Sequence, residues 1–149
     1  MILEYLSENR VIIDYQAVDY QHLLEQMVMH STMSYKKLNN RSLVDLVLER
    51  DSLMPTALGK GVALPRVIDD EIKPSEIIIA INPKGMTIDS MDRKPVKIVF
   101  LFLLSTKDNY AELLAQGLRL LNDDNVRDEL LQAKTVDRVL KLIQRWEQS

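Results

Sequence analysis

Two uninterrupted apolar runs predict buried strands. The run Ile77–Ile81 has no polar alternation, which is typical of a strand covered on both faces. The run Val96–Leu104 is broken only by Lys97, and we predict that it forms the central strand. The β-branched segment Arg10–Ile13 predicts an edge strand. Between the long runs, the composition of Asn82–Gly85 predicts a turn.

Apolar residues at helical spacing fill most of the remaining chain. Ser42-x-x-Asp45 matches a capping box at the start of one such segment, and Asp108 is predicted to cap another, whose apolar residues we expect in the core. The segments are Met1–Leu6, Asp19–Met29, Ser42–Asp51, Asp108–Leu121, Asn125–Ala133 and the stretch after Thr135. Strands interleaved with helices predict an α/β fold, a three-layer sandwich in which a mixed sheet carries helices on both faces.

Length and composition restrict the class of protein. The 149 residues suit one domain, 1–149, with a sizeable core. A net charge of −3 without a long basic run argues against general nucleic-acid binding. The absence of cysteine excludes disulfides, thiolate catalysis and cysteine-based zinc sites. With neither a signal-peptide pattern nor an apolar run near the roughly 18 residues of a membrane span, we expect a cytoplasmic protein.

A glycine-containing stretch, Thr56–Arg66, is the most distinctive part of the sequence. Gly59 and Gly61 permit positive φ and close approach of the backbone to another group. The apolar Val62–Leu64 then predicts a short strand, and Pro65 is predicted to end it because proline has no N–H for a ladder. This would place Arg66 at a strand end, and we expect the end of Val62–Leu64 to lie beside the end of the central strand at Ser105–Thr106.

This stretch resembles the active-site segment of the type-2 enzyme IIA domains of the bacterial phosphoenolpyruvate-dependent phosphotransferase system. The mannitol, fructose and nitrogen-regulatory branches share the pattern S-T-G-[IV]-G-x-G-[IV]-A-[IL]-P-H. Pro55 and Ala57 depart mildly from this pattern, and Arg66 stands where the phosphorylated histidine of the family belongs. The matching residues are Thr56, Gly59, Gly61, Val62, Ala63, Leu64 and Pro65.

The resemblance covers nearly the whole chain. Leu48–Asp51 is similar to the L-x-R-E end of the second helix of the family, so that Arg50 matches its site arginine. Met86–Val96 resembles the segment that precedes a buried strand. In Asn109–Leu114, which resembles the N-H-[LI]-x-x-L pattern, Tyr110 takes the place of the second site histidine.

The two replacements change what this site can do. In the family, a neutral imidazole nitrogen attacks a phosphoryl group, which requires a free lone pair near neutral pH. The guanidinium of Arg66 only donates hydrogen bonds and stays protonated. The phenol of Tyr110 is also mostly protonated near pH 7. We therefore expect that histidine phosphotransfer is lost and that the chain has no catalytic residue, metal or cofactor.

The remaining groups suit an anion. Arg50, Thr56 and Arg66 are predicted to converge with backbone N–H groups of the glycine-containing loop, near Tyr110, on one depression at one end of the sheet. Such a cluster can hold phosphate or carboxylate. The alternative interpretation is a decayed site in which Arg66 is merely solvated.

Three functional hypotheses follow. The leading one is a regulatory or adaptor relative of the enzyme IIA domains, which acts by contact with a phosphocarrier-like protein or a regulated transporter or kinase. The second is an active phosphocarrier, which would need His22 or His30 to reach the loop. Both histidines lie on or beside one predicted helix and are interpreted as ordinary surface or half-buried residues. The third hypothesis is a sensor of small anions.

Overall fold

The computed structural model describes residues 1–53, 57–88 and 94–149. In these residues the helices are α1 to α5, and two short 3-10 helices, Ile2–Tyr5 and Glu8–Arg10, precede the first strand. The helices are α1 (Tyr20–Val28), α2 (Leu43–Leu53), α3 (Tyr110–Asn122), α4 (Asp124–Gln132) and α5 (Val136–Gln148). The strands are β1 (Val11–Ile13), β2 (Lys37–Leu38), β3 (Arg41–Ser42), β4 (Ala57–Gly59), β5 (Val62–Ala63), β6 (Arg66–Asp69), β7 (Glu76–Met86) and β8 (Val96–Ser105).

The main sheet is mixed, as predicted. Its order is β1-β7-β8-β5-β4, and β6 also pairs with β8. Strands β5 and β6 run parallel to β8, whereas β7 runs antiparallel to it. Strand β1 lies at the edge and is parallel to β7, which confirms the predicted edge strand.

Alternate residues of β8 point into two different cores. Phe100 and Phe102 pack on the side of α3, α4 and α5, whereas Leu101 and Leu103 pack on the side of α1 and α2. This alternation follows from the two-residue period of a strand. The sheet therefore carries helices on both faces, which confirms the predicted three-layer sandwich.

Polar side chains cap the N-termini of several helices. The side chains of Asp19, Ser42 and Thr135 each accept a hydrogen bond from the backbone N–H three residues later, at 2.8, 3.1 and 3.2 Å. The predicted cap Asp108 is wrong, because its carboxylate instead accepts the hydroxyl hydrogen bond of Ser75 at 2.6 Å. Asn109 caps α3 in its place.

Two polar segments contain strand, and the first of them was predicted as a turn. Asn82–Gly85 lies inside β7, which continues to Met86 past an irregularity in its register with β8. A glycine at φ +76° and the Asn82 side chain, which accepts from Lys84 N at 2.9 Å, accommodate this irregularity. The segment Tyr35–Asn40 contains β2 and the turn to β3, in which both asparagines adopt positive φ.

A buried carboxylate joins three elements at one end of β7. Glu76 has no exposed surface, and Arg10 Nε lies 2.9 Å from its Oε2. The hydroxyls of Ser31 and Thr32 donate to Oε1 at 2.6 and 3.0 Å, and Thr32 N lies 3.2 Å from both oxygens. We call these four residues the Glu76 cluster. It holds the turn after α1 and the segment before β1 against the start of β7.

Candidate functional site

Strands β5 and β6 form one continuous edge along β8. Val62 pairs with Ile98 and Arg66 pairs with Phe102, so the register is the same on both sides of Pro65. Pro65 also accepts a hydrogen bond through its carbonyl from Phe102 N at 2.9 Å. Strand β5 ends at Ala63, before Pro65, as predicted, but a second strand segment in the same register begins at Arg66.

The position of Pro65 within the sheet explains why it is tolerated. The described pairing of β5 with β4 reaches only Ala63, so the missing N–H of Pro65 interrupts no described ladder. Arg66 consequently opens a second strand segment. Its neighbour across the sheet is Phe102, whereas Ser105 pairs with Asp69. The prediction that the end of Val62–Leu64 lies beside Ser105 is wrong, because the residue opposite Ser105 is Asp69, at the end of β6.

Arg66 is half-buried on this edge. Its Nε donates to the carbonyl oxygen of Leu64 at 3.2 Å, which turns the guanidinium back over its own strand. Burial lowers the pKa of Arg66, the charge of Arg50 lowers it further, and Asp51 acts in the opposite direction. The site thus holds two guanidinium groups close enough to oppose one another.

Both neighbours of Arg66 come from the last turns of α2. Arg50 is exposed, as expected for a residue that faces a depression or solvent. Asp51 accepts a hydrogen bond from the Tyr20 hydroxyl at 2.7 Å. The sequence interpretation named Arg50 but missed Asp51 and Tyr20. Asp51 adjoins Arg50 in the segment that resembles the family motif, and this adjacency was the available signal.

Tyr110 is the first residue of α3, and 37% of its surface is exposed. The helix covers the face of the sheet to which Phe102 points, because a Cβ added at Gly117 would lie 2.6 Å from Phe102 Cζ. Arg66 pairs with Phe102, and paired residues of a parallel ladder point to the same face. The side chain of Arg66 therefore leaves its strand on the α3 side of the sheet. Its convergence with Tyr110 on one depression remains a prediction, and Thr56 lies outside the described residues.

A cavity of about 400 Å³ lies between the β4–β5 hairpin and α3. Leu58 and Leu118 contribute to its lining, and Lys60 donates to the side-chain oxygen of Asn122 at 2.7 Å. The predicted core position of Leu118 is wrong, since 43% of its surface is exposed. Gly117 takes the inward position beside it, which helical spacing of large apolar residues does not reveal.

The two histidines make contacts away from Arg66. His22 Nδ1 accepts from Val18 N at 3.0 Å, near Tyr15, whose N–H bonds to the carbonyl of Ile81. Ile81 pairs with Ile98, four residues before the partner of Arg66, which corresponds to about 13 Å along the strand.

His30 is separated from Arg66 in the other direction across the sheet. Its Nδ1 donates to the carbonyl oxygen of Asn9 at 2.6 Å, just before β1. Strands β7 and β8 lie between β1 and β6, a separation on the order of 14 Å across the sheet. Each histidine thus supports a local backbone contact at a different place from the arginines.

Two features of other functional classes are absent from the described ranges. Residues 1–53, 57–88 and 94–149 contain no group of three or more His, Cys, Asp or Glu side chains placed to hold a metal ion. Over the same ranges, no helix combines the length and apolar character needed to cross a membrane.

A protein-family model matches almost the whole chain. The model describes the phosphoenolpyruvate-dependent sugar phosphotransferase system, EIIA 2, and it matches residues 4–146. The match includes α2, the glycine-containing stretch, β6 and α3, which are the elements that carry the candidate site residues.

Relatives by sequence carry phosphotransferase or nitrogen-regulatory names. The fructose-specific EIIABC component of Bacillus subtilis is 22% identical over 95% of this chain, and the fructose-specific EIIA component of Haloferax volcanii is 29% identical over 64%. The chain spans 23% and 64% of the lengths of these two proteins. A nitrogen regulatory protein homolog of Haemophilus influenzae is 26% identical over 86% of this chain and 77% of its own length.

Solved structures share the fold. The nitrogen regulatory protein IIA-Ntr of Neisseria meningitidis superimposes with a TM-score of 0.80 at 20% identity, over 95% of this chain and 97% of that one. Enzyme IIA mannitol of Escherichia coli, in a complex with phosphorylated enzyme IIB mannitol, gives 0.78 at 18% identity, over 93% and 96% of the two chains.

Proposed function

The chain belongs to the EIIA 2 family of the phosphoenolpyruvate-dependent sugar phosphotransferase system, and we propose that it acts by contact with another protein without accepting a phosphoryl group. It would then be a regulatory or adaptor member of the family, of the nitrogen-regulatory type. We propose that this contact takes place in the bacterial cytoplasm, as the resemblance to the family implies.

One observation carries the proposal: a guanidinium stands at the position that corresponds to the phosphorylated histidine in the family pattern. A nucleophile needs a lone pair, and the nitrogens of Arg66 have none to offer near neutral pH. Burial lowers the pKa of Arg66, but guanidinium is so basic that arginine stays protonated in proteins. Arg66 therefore binds an anion and does not attack one.

The positions of the histidines argue against the alternative of an active phosphocarrier. His22 and His30 lie near opposite ends of α1, and their ring contacts are with Val18 and Asn9. Transfer of a phosphoryl group requires the nucleophile to be near the reacting atoms, at about 3–3.5 Å. Neither residue occupies the site of Arg66.

The comparisons suggest the kind of partner. The Escherichia coli complex contains an enzyme IIA domain and a phosphorylated enzyme IIB. We propose for this chain a protein of comparable chemistry, either a phosphocarrier-like protein or a regulated transporter or kinase. A sensor of small anions is the second candidate, and it is favoured by the two opposing guanidinium groups of Arg50 and Arg66.

Intact-mass measurement tests the proposal. The protein is incubated with phosphoenolpyruvate, the first enzyme of the phosphotransferase system and a general phosphocarrier. We expect no mass increase of one phosphoryl group, because no nucleophile stands at residue 66. Stoichiometric labelling on His22 or His30 would contradict the proposal.

A double variant shows that the assay can detect transfer on this scaffold. Arg66→His with Tyr110→His restores both imidazoles of the family pattern, and Arg50 remains to offset the charge of the phosphoryl group. We expect slow, partial, acid-labile labelling at residue 66, and more of it than in Arg66→His alone. Absence of label in the folded double variant would indicate a docking surface that has diverged from phosphocarriers.

A further inference from the structure

Lys97 is the one charged residue in the apolar run of β8, and the candidate site does not involve it. It is half-buried and forms no ion pair with any residue of the described ranges. Its backbone N–H donates to the carbonyl oxygen of Gly61 at 2.7 Å, and a Cβ added at Gly61 would lie 3.8 Å from Lys97 Cγ. The turn of the β4–β5 hairpin therefore lies directly against the Lys97 side chain.

The end of α3 holds two further cations at the same place. Lys60, at the tip of the hairpin, donates to the side-chain oxygen of Asn122 at 2.7 Å. Arg127 donates through Nη1 to the carbonyl oxygen of Leu121 at 2.8 Å, and its other Nη pairs with Asp124. Two successive residues of one helix thus fix the side chains of Lys60 and Arg127 close to each other.

A cavity of about 270 Å³ lies between the hairpin turn, the start of β8 and α4. Its described lining contains four cations and a single carboxylate, that of Asp128. The cations, which we call the basic cluster, are Lys60, Lys94, Lys97 and Arg127. Cations gathered around one cavity repel each other, and an anion with several negative charges relieves this repulsion. Adjoining phosphate groups meet this need best, because each can make charge-assisted hydrogen bonds to a different cation.

The cavity of about 400 Å³ beside α3 adjoins the basic cluster, because Lys60 lines both cavities. Leu58, Leu118 and Leu121 give it apolar walls. Asn122, also in the lining, accepts from Lys60 through its oxygen, and its amide N–H groups make no hydrogen bond within the described ranges. A heteroaromatic ring can pack on the leucines and accept from this amide, whereas an alkyl chain cannot accept.

We propose that the two cavities form one binding site for a nucleoside polyphosphate, with the phosphates at the basic cluster and the base in the apolar cavity. Asp128 supplies an acceptor for a sugar hydroxyl in the same lining. The site is separate from the candidate site. Ile98, in its lining, precedes Phe102, the partner of Arg66, by four residues, or about 13 Å along β8.

Isothermal titration calorimetry with the full chain tests the proposal. The probes are ATP, GTP and inorganic pyrophosphate at one ionic strength. We expect at least one nucleotide to bind with a Kd below about 0.1 mM, and at least about tenfold more tightly than pyrophosphate, which fills only the basic cluster. Absence of binding by both nucleotides would overturn the proposal. Equal affinities for pyrophosphate and the nucleotides would also overturn it, in favour of a site for simple anions.

Variants locate the ligand. Lys97→Gln is expected to weaken both nucleotide and pyrophosphate binding about tenfold. Lys60→Gln, at the exposed hairpin tip, should weaken both in the same way and replaces Lys97→Gln if that variant does not fold. Leu118→Ser should weaken nucleotide binding about fivefold and leave pyrophosphate binding within about twofold. Arg138→Gln, on the exposed surface of α5, is the matched control and should change neither affinity.

The outcomes separate this inference from the proposed function. Nucleotide binding that folded Lys97→Gln, Lys60→Gln and Leu118→Ser variants all leave unchanged would overturn the inference. Loss of nucleotide binding in Arg66→Gln would place the ligand at the candidate site and would overturn it as well. Either result would leave the proposed function standing, because that function is tested by phosphoryl transfer and not by nucleotide binding.

Discussion

The protein holds arginine in two contrasting settings. In the Glu76 cluster, Arg10 meets a carboxylate with no exposed surface, and hydroxyl and backbone donors surround both of its oxygens. At the candidate site, Arg66 is half-buried, and burial and the charge of Arg50 lower its pKa while Asp51 acts in the opposite direction. The first setting joins a buried carboxylate to its cation, whereas burial and a like charge disfavour the cation in the second.

This difference separates a structural role from a binding role. A buried charge is tolerated when its partners are fixed, and the loss of one partner leaves the other uncompensated. Burial and the neighbouring Arg50 both disfavour the charge of Arg66, so this charge opposes folding and a role in stability does not explain its position. The two arginines should therefore respond in opposite ways to the same substitution.

Replacement of Arg10 should give the larger effect on stability. Arg10→Gln leaves the Glu76 carboxylate buried without its cation, and we expect a loss of about 3 kcal/mol in the free energy of unfolding. Urea denaturation at pH 7 measures it, with Arg138→Gln as the control, expected within about 0.5 kcal/mol of wild type. A loss below about 1 kcal/mol would mean that the hydroxyl donors alone satisfy the carboxylate.

Replacement of Arg66 should have a smaller effect of opposite sign. A cation whose folded-state pKa is lowered opposes folding at every pH below that pKa, because it is charged in both states. Arg66→Gln removes this opposition, and we expect stability between that of wild type and a gain of about 1 kcal/mol. The same urea titration measures it. A clear loss would assign Arg66 a structural role and contradict the comparison of the two settings.

Much of the fold could be predicted from the sequence because its signals are local. The central strand β8 is an apolar run interrupted near its start only by Lys97, and the caps Asp19, Ser42 and Thr135 each act three residues away. Local patterns also predicted a turn at Asn82–Gly85. That prediction is wrong because pairing with β8 extends β7 across this segment. Tertiary pairing here overrides the turn propensity of single residues.

The site was harder to predict because it depends on register. That Arg66 begins a second strand segment after Pro65 follows from the shared register of β5 and β6 with β8, which no short motif encodes. The Glu76 cluster joins Arg10, Ser31 and Glu76 across distant parts of the chain, and nothing in the sequence linked them. Family resemblance pointed to Arg50 and Arg66, and the structure added Asp51, whose charge acts on Arg66.

Phosphorus NMR of the phosphorylated carrier tests the central claim most directly, since one spectrum reports both where the phosphoryl group is and what it contacts. On addition of the wild-type protein, the phosphohistidine signal of the carrier should shift and should keep its intensity. Loss of the carrier signal with the appearance of a phosphohistidine signal on this chain, or an unshifted signal at saturating wild-type protein, would contradict the claim that the chain contacts its partner without accepting a phosphoryl group.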